Sequence, residues 1–197
     1  MSKAEKTKQL IIEQAALKFN EKGIAGTSVD DIIAATKTSK GCFYGHFDSK
    51  EELSFASVDY LLEKLTDRRA AALKKQSTAI GKVNAFLELN KNPVMSYFDG
   101  GCPIVNLSTE ADDTNPVIKK KMKAMIETSI TFLTQIIQEG IDKDEFDKSL
   151  CAEAFATKMF LSIEGGNALC RTLNSNKPMD LLINSLKTEL AAHIRKG

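Results

Sequence analysis

Residues 27–50 read TSVDDIIAATKTSKGCFYGHFDSK. The stretch holds two helices of about seven to nine residues each, joined by a tight turn. Thr27 or Ser28 suits the N-cap of the first helix, since Asp30 and Asp31 stand where a capping box wants a carboxylate. Thr38 or Ser39 suits the N-cap of the second. Helices this short are marginal alone and must be held by packing. The apolar stripe just upstream, Ile11, Ile12, Ala15, Ala16 and Phe19, stops at Gly23 and can supply that packing. Three small helices with a short crossed pair make the helix-turn-helix arrangement, whose second helix enters a DNA major groove.

The second short helix carries suitable chemistry. Lys40, Tyr44 and His46 are polar, while Phe43 and Phe47 turn to the other side as core. Gly41 permits close backbone approach. Lys37, Lys40 and Lys50 surround the helix, opposed by Asp48. Residues 1–50 hold eight lysines against six acids, a net of +2, and the remainder carries −1. Each residue alone reads as solvated surface or ordinary core; together, in order and at spacing, they read as a DNA-binding face.

The pattern Ile12, Ala15-Ala16, Phe19, Gly23, Thr27-Ser28, Asp31-Ile32-Ile33, then Ser39-Lys40-Gly41-Cys42-Phe43-Tyr44-Gly45-His46-Phe47 and Ser49-Lys50-Glu51-Glu52-Leu53 resembles the N-terminal domain of TetR-family transcriptional repressors. The resemblance implies that Thr27, Thr38, Ser39, Lys40, Gly41, Tyr44, His46 and Lys50 touch DNA, mainly its phosphates, and that Cys42 and Gly45 meet base edges. Two positions depart from the family. Lys37 stands where the family has Gly in the turn, and Thr38 stands where it has a small apolar residue. A left-handed backbone at Lys37 costs on the order of 1 kcal/mol relative to Gly, and a lysine there can reach a phosphate.

The whole chain sets bounds on this reading. It has 197 residues, 43% hydrophobic and 27% charged, with a formal net charge of +1. That excludes a histone-like tail, an electrostatic nucleic-acid coat and an acidic disordered protein. No run approaches the roughly 18 apolar residues of a membrane helix, and the Lys-rich start has no signal-peptide core. A cytoplasmic protein with no membrane partner is expected. Cys42, Cys102, Cys151 and Cys170 are scattered, without C-x-x-C or neighbouring His at metal spacing. Reduced thiols are expected, with no metal and no cofactor. The usual catalytic signatures are absent, so an enzyme is not expected.

The remainder is helical throughout, which gives an all-α chain of about nine helices. A DNA-binding domain at 1–48 and a ligand-binding and dimerisation domain at 49–197 are expected. A long helix starts near Ser49, another candidate runs from Ser77 toward Met95, and Pro103 opens a short one after Gly100-Gly101-Cys102. Glu139-Gly140 closes the strong stripe that begins after Pro116. Phe98, Ile104, Val105, Met122, Phe132 and Phe160 are candidates to line a ligand pocket, and each also reads as ordinary core. Glu164, Asn167 and Arg171 lie near the apolar stripe of the eighth helix, where they can orient a ligand or form an exposed edge. The run Lys119-Lys120-Lys121-Met122-Lys123 reads as a solvated face. Small residues in the eighth helix, among them Gly165 and Gly166, suit close packing between subunits or within one; the resemblance favours a homodimer through the last two helices.

Residues 100–110 also resemble a stretch in one subset of the family, some members of which sense electrophiles or oxidants through its Cys. Cys102 is expected to cap the helix begun by Pro103, where the helix N-terminus stabilises a thiolate, and the two glycines are expected to leave its sulfur accessible. The resemblance implies a dimeric repressor of a palindromic double-stranded operator, released by a small apolar or electrophilic inducer. The rival is a helical small-molecule-binding protein of the same fold that reads no operator.

Overall fold

The computed structural model describes residues 2–195, and among these it holds nine helices and one isolated bridge, Phe146 to Ile194. The helices are α1 Lys3–Lys22, α2 Val29–Thr36, α3 Lys40–Tyr44, α4 Lys50–Leu73, α5 Ala79–Leu89, α6 Pro103–Ala111, α7 Pro116–Asp142, α8 Ala152–Thr172 and α9 Lys177–Ala191. The all-α expectation holds. Local chemistry sets many of the ends. Ser2 and Glu5 box the start of α1, and Gly23 ends it at φ 79. Ser49 caps α4 by accepting the Glu52 N–H at 3.1 Å. Pro103 stands in the first turn of α6, where its missing N–H costs nothing.

Some elements differ from the sequence reading. The second short helix, α3, has five residues rather than seven or more: Gly45 is its C-cap, and the His46 N–H turns back onto the Phe43 carbonyl, three residues away instead of four. Helix α5 ends at Leu89 instead of running toward Met95; Asn90 closes it, its side chain donating to the Phe86 carbonyl at 2.8 Å. Gly140 does not close α7, which continues to Asp142. A Cβ on Gly140 would lie 2.4 Å from the Phe146 ring, so this glycine makes room for that ring.

By compactness the chain divides into a unit up to Leu65 with Tyr97–Met122, and a unit of Thr66–Ser96 with Lys123 onward. This physical division differs from a functional one at 48/49, since α6 and the start of α7 belong with the first helices. In the first unit Ile11, Ala15, Phe19, Ile32, Phe43, Phe47 and Leu53 form one buried cluster. Ala16, Val58, Leu61, Phe98, Leu107, Ala111, Ile118 and Met122 form another. In the second unit α8 packs on α9, with Phe155, Met159, Phe160, Ile163, Met179, Ile183 and Leu186 buried.

Candidate nucleic-acid interface

The interface is built from two capped helices and a strained turn. Ser28 caps α2, accepting the Asp31 N–H, while Asp31 accepts from the Ser28 N–H and hydroxyl. These bonds hold the Asp31 carboxyl below its usual range, the hydroxyl bond first. Helix α2 ends at Lys37, which is left-handed at φ 53, ψ 33, as the departure from glycine required. Ser39 then caps α3 through the Cys42 N–H at 3.1 Å.

Phe43 and Phe47 are buried in the cluster that joins α1, α2 and α4, and they fix the rotation of α3. Tyr44 stands edge-on to Phe43 at 5.1 Å and remains half exposed. Lys37, Ser39, Lys40, Gly41 and Gly45 are exposed, while Thr38, Cys42 and His46 are half-buried. The Thr38 hydroxyl pairs with that of Thr36 at 2.8 Å. Gly41 has a helical backbone, and a Cβ there would meet nothing nearer than the Ser39 hydroxyl at 4.0 Å. The fold does not require a glycine at 41.

Two sequence candidates are placed differently from the rest. Thr27 is fully buried, and its hydroxyl donates to the Gly23 carbonyl at 2.7 Å. Lys50 is half-buried, and its ammonium donates to the carbonyls of Ile24 and Thr27 at 2.8 and 2.9 Å. Both tie down the α1–α2 turn. Sequence reasoning missed the other half of that anchorage. The Glu110 carboxylate of α6 accepts the N–H groups of Ile24 and Ala25 at 2.9 and 2.8 Å. Asn20 donates to the Asp99 and Gly101 carbonyls at 2.7 and 3.0 Å, and Asn106 donates to Asn20 and to the Gly100 carbonyl. Glu110 lies 86 and 85 residues from Ile24 and Ala25, so no local signal in the sequence points to it.

Cys102 is the N-cap of α6 and is half-buried. Gly100 and Gly101 have positive φ, and a Cβ on Gly100 would lie 2.5 Å from the Asn20 carbonyl oxygen. Gly100 thus makes room for the loop clamped against α1. Phe98, Ile104 and Met122 are buried and Val105 half-buried, all in the first unit. Phe132, Phe160, Glu164, Asn167 and Arg171 lie in the second. There Asn167 donates to Glu164 at 3.2 Å, and Arg171 donates to the Pro93 and Val94 carbonyls. The lysine run is ion-paired on its surface, Lys119 with Asp112, Lys121 with Asp59 and Lys123 with Glu127.

A capped α2, a tight turn and a short α3 with a polar outer face define a helix-turn-helix DNA-binding protein. The chain belongs to the TetR family of bacterial transcriptional regulators. Residues 11–56 match the family's N-terminal regulatory domain, and residues 79–186 match the tetracyclin repressor-like C-terminal domain. A TetR transcriptional regulator from Chloroflexus aurantiacus is 32% identical, with a TM-score of 0.92 and both chains covered in full. A TetR-family regulator from Cytophaga hutchinsonii is 31% identical at a TM-score of 0.89, covering 100% of this chain and 99% of that one. The transcriptional repressor DhaR of Mycobacterium sp. strain GP1 is 24% identical over 88% of this chain and 86% of its own. The protein is a TetR-family, DNA-binding transcriptional repressor. Among the described residues no helix is long and apolar enough to cross a membrane.

Proposed function

We propose that this repressor works in the cytoplasm as a homodimer on a palindromic operator and is released by a small organic inducer with an apolar body. The carrying observation is Gly41. It sits on the exposed face of α3 where neither dihedral angle nor packing requires glycine. Its use is to let a phosphate or base edge approach the backbone. Lys37, Ser39, Lys40, Tyr44 and His46 surround it with donors and charge, and Cys42 and Gly45 meet base edges. Thr27 and Thr38 set the frame, and the Lys50 ammonium, with two protons given to carbonyls, keeps a third for a phosphate.

The inducer acts through α6. Its Glu110 and Asn106 grip the end of α1 and the α1–α2 turn, so a shift of α6 moves the reading head. DNA and inducer then oppose each other thermodynamically. Cys102 at the head of α6 supports a second trigger, an electrophile that modifies the thiol.

Selection from a random DNA pool tests the reading. Enrichment of an inverted repeat with half-sites about one helical turn, roughly 34 Å, apart is expected. Gly41→Ala keeps or raises stability, by up to about 1 kcal/mol from helix propensity, yet loses operator affinity. No palindromic enrichment, or full affinity in Gly41→Ala, contradicts it.

A further inference from the structure

Along α4, Leu61, Leu65, Arg69 and Leu73 recur at four-residue spacing, so Arg69 stands in an apolar row. Its Nη1 donates to the Ser129 hydroxyl oxygen at 3.0 Å, and its guanidinium carbon lies 5.0 Å from the centroid of the Phe132 ring. Ser129 is fully buried and Phe132 half-buried. Those are its partners among the described residues, and neither is acidic. Arg195, by contrast, is paired with Asp144, and Arg171 donates to three oxygens.

Burial pushes the Arg69 guanidinium pKa down, and among the described residues no carboxylate offsets it. The group nevertheless remains protonated. Of its five N–H donors one is used among the described residues. The Ser129 hydroxyl, accepting from Arg69, also keeps its own hydrogen to give. A half-buried cation, a buried hydroxyl and a half-buried aromatic ring thus stand together. One planar guanidinium matches a carboxylate in both charge and two-point geometry; a phosphate dianion would call for a second cation.

We propose that Arg69 and Ser129 receive the carboxylate of the inducer, an organic monoacid whose apolar body lies against Phe132. This rests on the reading of the chain as an inducible repressor. The test titrates the full-length protein with benzoate, hexanoate and decanoate, and with their amides, by calorimetry. At least one acid binds, about tenfold or more tighter than its amide. Arg69→Gln removes that preference, and Arg69→Lys keeps part of it. Arg69→Met, unliganded, keeps or raises Tm, because an unpaired half-buried charge is exchanged for an apolar side chain.

No binding by any of the acids, equal binding of acid and amide, or unchanged preference in Arg69→Gln overturns the proposal. A lowered Tm in Arg69→Met assigns a structural role and overturns it too. The acid-against-amide comparison is made on the wild type, so it stands even where a variant fails to fold. Operator selection on the unliganded protein separates the two readings. A protein that selects a palindrome but ignores acids refutes only this inference. A protein that binds an acid through Arg69 but selects no palindrome refutes the repressor reading and leaves the acid site.

Discussion

Lys37 pays a conformational cost that a glycine would not. Its φ of 53 puts a side chain in the left-handed region, at about 1 kcal/mol. Lys37→Gly should therefore raise stability by about 1 kcal/mol, or Tm by roughly 2–4 °C for a chain of this size. If the lysine is kept for a phosphate, the same change lowers the salt slope of operator binding by about one unit. Thermal melts and salt titrations by fluorescence anisotropy check both signs, and a variant with gains in both would deny the phosphate role. Asp31 gives a pH prediction. Its folded pKa is lowered, first by the Ser28 hydroxyl and then by the Ser28 N–H. A lowered carboxylate adds stability above its unfolded pKa, near 3.9, and loses it as pH falls through the folded value. The advantage of wild type over Asp31→Asn should be full at pH 7 and shrink below about pH 4, as read by urea unfolding at both. Equal advantage at pH 7 and pH 3 would remove the assignment.

At the scale of elements, the α1–α2 turn is held from two sides. Glu110 of α6 takes the N–H groups of Ile24 and Ala25, and Lys50 of α4 supplies protons to the Ile24 and Thr27 carbonyls. Glu110→Ala leaves two amides without their charged acceptor and should cost about 1–2 kcal/mol. Operator affinity should fall with it, while Glu110→Gln, which keeps one carbonyl acceptor, should lie between. Urea melts beside operator anisotropy check this; a melt that falls while affinity stays would sever α6 from the reading head. This latch also shows what the sequence could carry. Capping serines, the Phe43–Phe47 pair, the proline start of α6 and the buried stripe of α9 are local or periodic signals, and they were legible. Glu110 with Ile24 and Asn20 with Gly101 join residues more than 80 apart, so no local pattern announces them. The sequence offers Lys50 as a cation on the expected DNA face and gives no sign of its role as a clamp, because its carbonyl partners lie 23 and 26 residues away. Gly140 misled for the opposite reason: glycine signals a helix end locally, and only the Phe146 ring explains it inside one.

At the scale of the whole molecule, the small residues of α8 divide by what stands opposite them. A Cβ on Gly166 would lie 2.6 Å from the Met179 methyl group, so Gly166 serves the packing of α8 on α9 within a subunit. Leu186 is likewise buried inside it. Gly165 has open space beyond its missing Cβ. With Leu161, Leu169 and, at the C-cap, Leu173 it forms one row of α8 at four-residue steps, and each of these leucines is more than half exposed. Leu181 of α9 is 62% exposed as well. Large apolar side chains aligned on an exposed face suit a surface for a protein partner, and in the proposed homodimer a second copy would present the same leucines in return under two-fold symmetry. Leu169→Glu should then give a folded monomer with a melt close to that of isolated wild-type subunits. Gly166→Leu should instead damage the subunit itself, lowering solubility or Tm before any change in assembly is read. The monomer should also bind the operator weakly, because one reading head lacks the second half-site that a dimer engages at high effective concentration. Light scattering after size exclusion at micromolar protein, with operator anisotropy on the same samples, decides it. Leu169→Glu that stays dimeric, or a monomer that holds the operator as tightly as wild type, would place the interface elsewhere than on this leucine face.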